Sequence, residues 1–384
     1  MSSSALGDMF VLDPATGLDA LVRALVDDGY RVVGPLVRDG VIVYDDVRSG
    51  DDLPKGVTVE QSAGRWRLTI DDRPTRFSWT PGADSWKRFV FPAHQEVLRV
   101  RHVDGSFATT RPPSPDRPLA LLGARDCETR ALGVLDRVLI DPDHPDPRYA
   151  ERRADTFVVA VTCGQPSATC WCTSMGGGPR PREGFDILLT EVTTGVHRLI
   201  AEPGSERGSA LLARVGIAPA TDEDHADVEA VADAATSSMP ARLPGADIPT
   251  LLAGMHHPHW DEVAARCLSC ANCTMVCPTC FCSTLSDTAA LGADHAAGAE
   301  TVRVQEWASC FQLDHSNLAG HPVRATTMSR YRQWLTHKLQ TWPEQFGTLG
   351  CVGCGRCTTW CPAGIDLVEE AAVLIGAGAQ GGTP

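Results

Sequence analysis

An α+β fold, with a mixed α/β region ahead of a helical one, follows from three features of the sequence. A strand-helix-strand pattern between residues 119 and 163 calls for a parallel sheet, hairpin signals flank it on both sides, and beyond residue 248 apolar residues recur mostly at helical spacing. The 384 residues, 43% hydrophobic and 21% charged, suffice for two or three packed domains. The divisions expected are 1–217, a mixed α/β docking domain; 218–248, an acidic helix and linker; and 249–384, a helical domain.

The stretch "TGLDALVRALVDDGY" puts Leu18, Leu21, Val22, Leu25 and Val26 on one helical face, with Thr16 as the expected cap and Gly29 as the stop. "RVVGPLV" and "VIVYDDV" then form a hairpin through Asp39-Gly40. "LALLGARDCETRALGVLDRVLI" reads as a buried strand, a turn and a helix, and "TFVVAVTC" as the next buried strand. Parallel pairing of these strands would bring Cys127 and Cys163 to their carboxyl ends, where sites in open α/β sheets form. "DILLTEV" and "VHRLIAEP" make a second hairpin through Thr194-Gly195. The acidic, alanine-rich run after residue 218 is a surface helix, followed by a linker broken at Pro240, Pro244 and Gly245. "YRQWLTHKLQTW" aligns Tyr331, Trp334, Leu335, Leu339 and Trp342 on one helical face, and the glycine-rich tail is expected to fray.

The net charge of −14, with no basic stripe, opposes nucleic-acid binding. No apolar run approaches a membrane span, and the start "MSSSALGDMF" lacks a secretory pattern, so a cytoplasmic location is expected. There are 15 cysteines, an odd number, which in a reducing compartment read as metal ligands before disulfides.

Eight of the cysteines fall in two copies of one pattern. "CLSCANCTMVCP" starting at Cys267 and "CVGCGRCTTWCP" starting at Cys351 both follow the C-x2-C-x2-C-x3-C-P spacing of proteins that bind two 4Fe-4S clusters. In that pattern the fourth cysteine ligates the other cluster. Cys267, Cys270 and Cys273 then pair with Cys361, and Cys351, Cys354 and Cys357 with Cys277. Zinc is the weaker alternative, because zinc motifs split into separated C-x2-C pairs. The long helical segment between the motifs points to an α-helical two-cluster ferredoxin-like domain. With every corner ligated, such clusters carry electrons, and no catalytic residue is assigned.

Cys127, Cys163, Cys170 and Cys172 are candidate ligands of a third 4Fe-4S cluster, with buried structural thiols as the alternative. Cys280, Cys282 and Cys310 have no evident fourth partner and are expected to pack around the clusters. His256, His257 and His259 read as a surface loop before a metal site, and "SMGGGP" as a tight turn beside Cys172.

The chain resembles the iron-sulfur β subunit of cytoplasmic NAD(P)-linked nickel-iron hydrogenases, called sulfhydrogenases in some organisms, and the related iron-sulfur subunit of anaerobic sulfite reductase. The likeness rests on "SWKRFVFP", "GARDCE", "CGQPSATCWCTSMGGGP", "GFDILLTE", "CPTCFC" and "CVGCGRC". Ala124, Glu128, Trp171 and Ala308 depart from the pattern that the family usually shows, which argues against a fixed role for an acidic group at 128 or 308. The resemblance implies an electron-transfer subunit of a hetero-oligomer. Its partners would be the small and large hydrogenase subunits together with a flavin- and NAD(P)-binding diaphorase-type subunit, or a siroheme protein in the reductase. A self-contained iron-sulfur oxidoreductase is the remaining alternative.

Overall fold

The computed structural model describes residues 8–103, 106–113, 117–239, 243–244, 247–252, 254–289 and 300–380. Pro240 and Gly245 of the expected linker, and the last four residues of the tail, lie outside the described residues. The architecture is α+β. An eight-stranded sheet runs in the spatial order Ala218–Pro219, Phe10–Leu12, Arg198–Pro203, Ile187–Val192, Phe157–Val161, Leu119–Ala124, Arg31–Arg38, Val41–Asp46.

The four strands from Ile187–Val192 to Arg31–Arg38 pair in parallel, and the outer pairings are antiparallel. Every residue of Leu119–Ala124 and of Phe157–Val161 is buried, as expected of parallel strands covered on both faces. Helix Asp126–Leu139 connects these two strands. Helix Thr16–Asp27 buries Leu18, Leu21, Val22 and Leu25 as its spacing predicts, while Val26 is exposed. Its cap is Asp13, not Thr16: the Asp13 carboxylate accepts from the backbone N–H of Ala15 at 3.0 Å and of Thr16 at 2.8 Å.

A second core gathers Trp171, Trp260, Tyr331, Trp334, Leu335, Leu339 and the helix Leu367–Gln380. The aromatic helix runs Thr327–Thr336 and continues as a π-helical turn, His337–Thr341, that keeps Leu339 buried. Ala131 and Val134 of the helix Asp126–Leu139 pack with Trp342 and Val352, joining the two cores. Within 249–384 the chain also forms the antiparallel strands Ser283–Ala289 and Glu300–Trp307, and the latter pairs with His94–Val103. These strands carry Thr, Val and Trp at pleated spacing, and their pairing with the N-terminal half is a long-range event that no local pattern announces.

Candidate metal centres

The two motifs adopt one backbone design. In each, the second and fourth residues after the first cysteine have positive φ: Ser269 at 51° and Ala271 at 65° in one copy, Gly353 at 72° and Gly355 at 73° in the other. A one-turn helix follows in both, Asn272–Met275 and Arg356–Thr359. The left-handed residues curl the loop so that backbone N–H groups meet sulfur: Ser269 donates to Cys267 Sγ and Gly353 to Cys351 Sγ, each at 3.4 Å. Ile365 N donates to Cys361 Sγ at 3.4 Å. The two one-turn helices touch, and the Asn272 side chain donates to the Trp360 carbonyl, clasping one motif to the other.

Cys267, Cys270, Cys273 and Cys361 line one cavity, walled by Phe311, Tyr331 and Trp334. Cys361 therefore stands with the cysteines of the other motif. Cys357 lines the same cavity, and its charged neighbours are Cys351, Cys354, Cys277 and Cys273. The thiols surround space instead of meeting at a point. Among the described residues no three such ligands converge on a single ion, whereas zinc requires sulfurs about 2.3 Å from one centre. A cubane distributes its thiolates around itself, and the arrangement fits it. Tyr331 Oη and Trp334 Nε1, both buried, find no hydrogen-bond partner among the described residues, so polar donors wait beside this cavity.

The carboxyl ends of the parallel strands hold a second cavity. Cys127, Cys163, Cys170 and Cys172 line it, together with Arg125, Gly353 and Cys354. Cys127 sits in the first turn of its helix, and the 3₁₀ turn Cys172–Met175 carries Cys172. The glycines of "SMGGGP" make the turn that the sequence predicts. Gly176 has φ of 73°, a Cβ on Gly177 would lie 2.4 Å from Asp126 Oδ2, and Gly178 N donates to that oxygen at 3.1 Å. Arg125 directs Nη1 to the Thr162 carbonyl at 2.8 Å and Nη2 to Phe77 and Trp79, while its buried Nε has no partner among the described residues.

Burial sets the thiols' titration. It pushes Cys170 and Cys351 up to about 12, and raises Cys127, Cys163, Cys172, Cys273 and Cys357 as well. Cys277 goes the other way, held well below the usual thiol range by a hydrogen bond from Cys280 and by the Lys338 ammonium. Lys338, itself buried, donates to Thr279 Oγ1 at 2.9 Å and to the Gly350 carbonyl at 3.0 Å. Burial lowers its pKa, but the nearby Cys277, Cys280 and Cys351 sulfurs outweigh that and raise it.

Glu128 has a fixed role after all. It is 1% exposed, accepts from Arg356 Nη2 at 2.6 Å and from Tyr44 Oη at 2.9 Å, and closes the helix start through the backbone N–H of Arg125 at 3.1 Å. The expectation failed because Glu128's partner lies in the second motif, out of reach of local reading. His259 is likewise no surface residue: it is buried between Glu262 at 2.8 Å and Glu370 at 2.7 Å. Among the described residues no helix is long and apolar enough to cross a membrane.

The profile of the 4Fe-4S dicluster domain family matches residues 266–365. Over 343 residues the chain is 31% identical to sulfhydrogenase 2 subunit beta of Pyrococcus furiosus, covering 88% of this chain and 90% of that relative. No solved structure matches.

Proposed function

Since the chain belongs to the family of iron-sulfur β subunits of sulfhydrogenases, we propose that it relays electrons between the small subunit of a nickel-iron hydrogenase and a partner subunit that binds flavin and NAD(P), in the cytoplasm. The observation that carries this reading is the position of the second motif: Cys357 borders the first cavity and Cys354 borders the cavity of Cys127, Cys163, Cys170 and Cys172. One loop thus touches both neighbouring sites, as the middle station of a relay must.

In this reading Cys267, Cys270, Cys273 and Cys361 hold an outer cluster, Cys277, Cys351, Cys354 and Cys357 an inner one, and Cys127, Cys163, Cys170 and Cys172 a third. Each cluster, when bound, accepts and returns an electron. The chain's own groups hold and tune. N–H donors from Ser269, Gly353 and Ile365 stabilise negative charge on sulfur, and the Lys338 ammonium does the same beside Cys277 and Cys351. Aromatic walls keep water from the first cavity except at its mouth, where Cys270 is exposed and Leu268 is 67% exposed. That mouth is where a partner meets the outer cluster.

Anaerobic purification of the tagged chain from its native cell tests the assignment. Copurification of a flavoprotein and a nickel-containing protein is expected, and siroheme in place of nickel would assign the chain to a sulfite reductase complex instead. The purified chain alone should turn over neither protons nor sulfite. Activity in the isolated chain would overturn the relay.

A further inference from the structure

Lys87 belongs to neither motif and lies far from both in sequence, yet it is 2% exposed. A buried ammonium has lost its hydration, so the surrounding groups must supply acceptors and opposite charge. The side chain leaves the short helix Lys87–Val90, whose start is fixed from behind. Trp86, fully buried, stacks on Tyr44 with ring centres 3.9 Å apart. From there Lys87 Nζ reaches the turn after the first motif and donates to the Cys280 carbonyl at 3.1 Å.

Trp307 closes another side. Its backbone N–H donates to the Ala93 carbonyl at 2.9 Å and its Nε1 to the Phe91 carbonyl at 3.0 Å, which pins the ring. Lys87 Nζ lies 3.7 Å from the centre of that ring, at cation–π distance. The long-range strand pairing of Glu300–Trp307 with His94–Val103 thus has a product: an indole that aims an ammonium.

These contacts orient the charge without neutralising it. A carbonyl and an indole face are both neutral, and among the described residues no carboxylate pairs with Lys87. Lys338, the other buried ammonium here, also has neutral acceptors, Thr279 Oγ1 and the Gly350 carbonyl. The two lysines are near enough to repel each other, and the negative groups that both sense are the Cys277 and Cys280 sulfurs. Cys280 donates its proton to Cys277, so that pair offers a single thiolate to two cations. Two like charges in one dry region need more negative charge than that. A cluster held by four thiolates is net negative in both of its redox states and supplies it.

We propose that Lys87 is a positioning residue for electron transfer: with Lys338 it forms a fixed cationic cradle for the set Cys277, Cys351, Cys354 and Cys357, and it raises the reduction potential of the cluster held there. The step adds one electron, delivered by a neighbouring station of the relay, and breaks no bond at Lys87. The ammonium favours the reduced state because that state carries the extra negative charge. The proposal rests on the iron-sulfur reading of the motifs and deepens it, since part of the inner station's potential then comes from the N-terminal half of the chain.

Redox titration of the anaerobically isolated complex, followed by EPR, is the test. Lys87→Met is expected to shift the inner cluster's one-electron equilibrium about tenfold toward the oxidised state, a fall of about 59 mV, with the outer cluster unmoved. Lys87→Arg keeps the charge and should restore most of the original potential. Lys87→Gln keeps a donor for the Cys280 carbonyl but not the charge, so it should shift the potential as methionine does, and it stands in should the methionine variant fail to accumulate. A glutamine variant with the original potential would make Lys87 a mere strut and overturn the proposal. Equal shifts in both clusters would overturn it too. Absence of an inner-cluster signal from the unsubstituted complex would instead sink the iron-sulfur reading itself.

Discussion

The two cysteine motifs share spacing, backbone turns and N–H···S bonds, and differ in what stands against them. Ser269 and Ala271 occupy the left-handed positions of the first copy, a conformation that costs a side-chain-bearing residue about 1–2 kcal/mol each. The first copy gains from its side chain: Ser269 Oγ meets Thr327 Oγ1 at 3.0 Å and Arg330 Nη2 at 3.3 Å, anchoring the start of the aromatic helix. In the second copy, a Cβ on Gly353 would lie 2.6 Å from the Cys172 backbone, and one on Gly355 would lie 2.3 Å from the Thr169 carbonyl. Trp171 N donates to the Gly353 carbonyl at 2.9 Å. The glycines mark where the loop that carries Cys170 and Cys172 presses main chain to main chain. Equal spacing therefore gives one motif open to the surface at Cys270 and one enclosed by the rest of the protein.

That contrast breaks most readily at the ligands. Cys277→Ser should abolish the EPR signal of the inner cluster and leave that of the outer one, although Cys277 lies next to the outer motif in sequence; loss confined to the outer signal would mean the motifs are self-contained. Next in size is the enclosure of the inner loop. Glu128→Ala strands the Arg356 guanidinium, 2% exposed, without its carboxylate, a change that costs about 3–5 kcal/mol in buried pairs. Chemical denaturation of the chain should show a loss of that order, whereas Arg266→Ala, which breaks a half-exposed pair with Glu370, should cost far less.

The contrast sharpens with charge. Lys338→Met removes a buried cation beside Cys277 and Cys351, so the inner cluster's reduced state loses stabilisation and its potential should fall by tens of millivolts, about 59 mV for each tenfold change in the one-electron equilibrium. A redox titration that finds the outer cluster moving as much as the inner would remove the distinction. The smallest effect concerns the metal-free chain. Cys170 and Cys351 keep their protons to about pH 12 when folded, whereas unfolded thiols ionise near about pH 8.5, so the unfolded state binds fewer protons between these values. These two thiols should make the stability of the apo chain decline as pH rises above about 8.5. A midpoint in denaturant that rises with alkaline pH would contradict this.

What the sequence shows and what it hides divide by distance along the chain. The parallel strands, the hairpins at Asp39-Gly40 and Thr194-Gly195, and the buried face of Tyr331, Trp334, Leu335 and Leu339 are local patterns of apolar spacing and turn residues, and all are present. The dicluster domain was legible for the same reason: four thiols within one short loop announce their own geometry. Pairings across hundreds of residues left no local mark. Nothing near Glu128 tells of Arg356, nothing near Cys282 tells of Cys310, and strand His94–Val103 does not advertise Glu300–Trp307. The positive φ at Ser269 and Ala271 was hidden by residue type, because neither is a usual left-handed residue.

The contact at Gly353 and Gly355 has a consequence for anyone who alters this chain. The gap between the second cysteine motif and the loop that carries Cys170 and Cys172 is set there by main-chain atoms alone, like the thickness of a shim, so that two sensitive positions carry no functional group at all. A survey of substitutions ranked by the chemistry removed would rate Gly→Ala as trivial at both, and at both it would wedge the wiring apart.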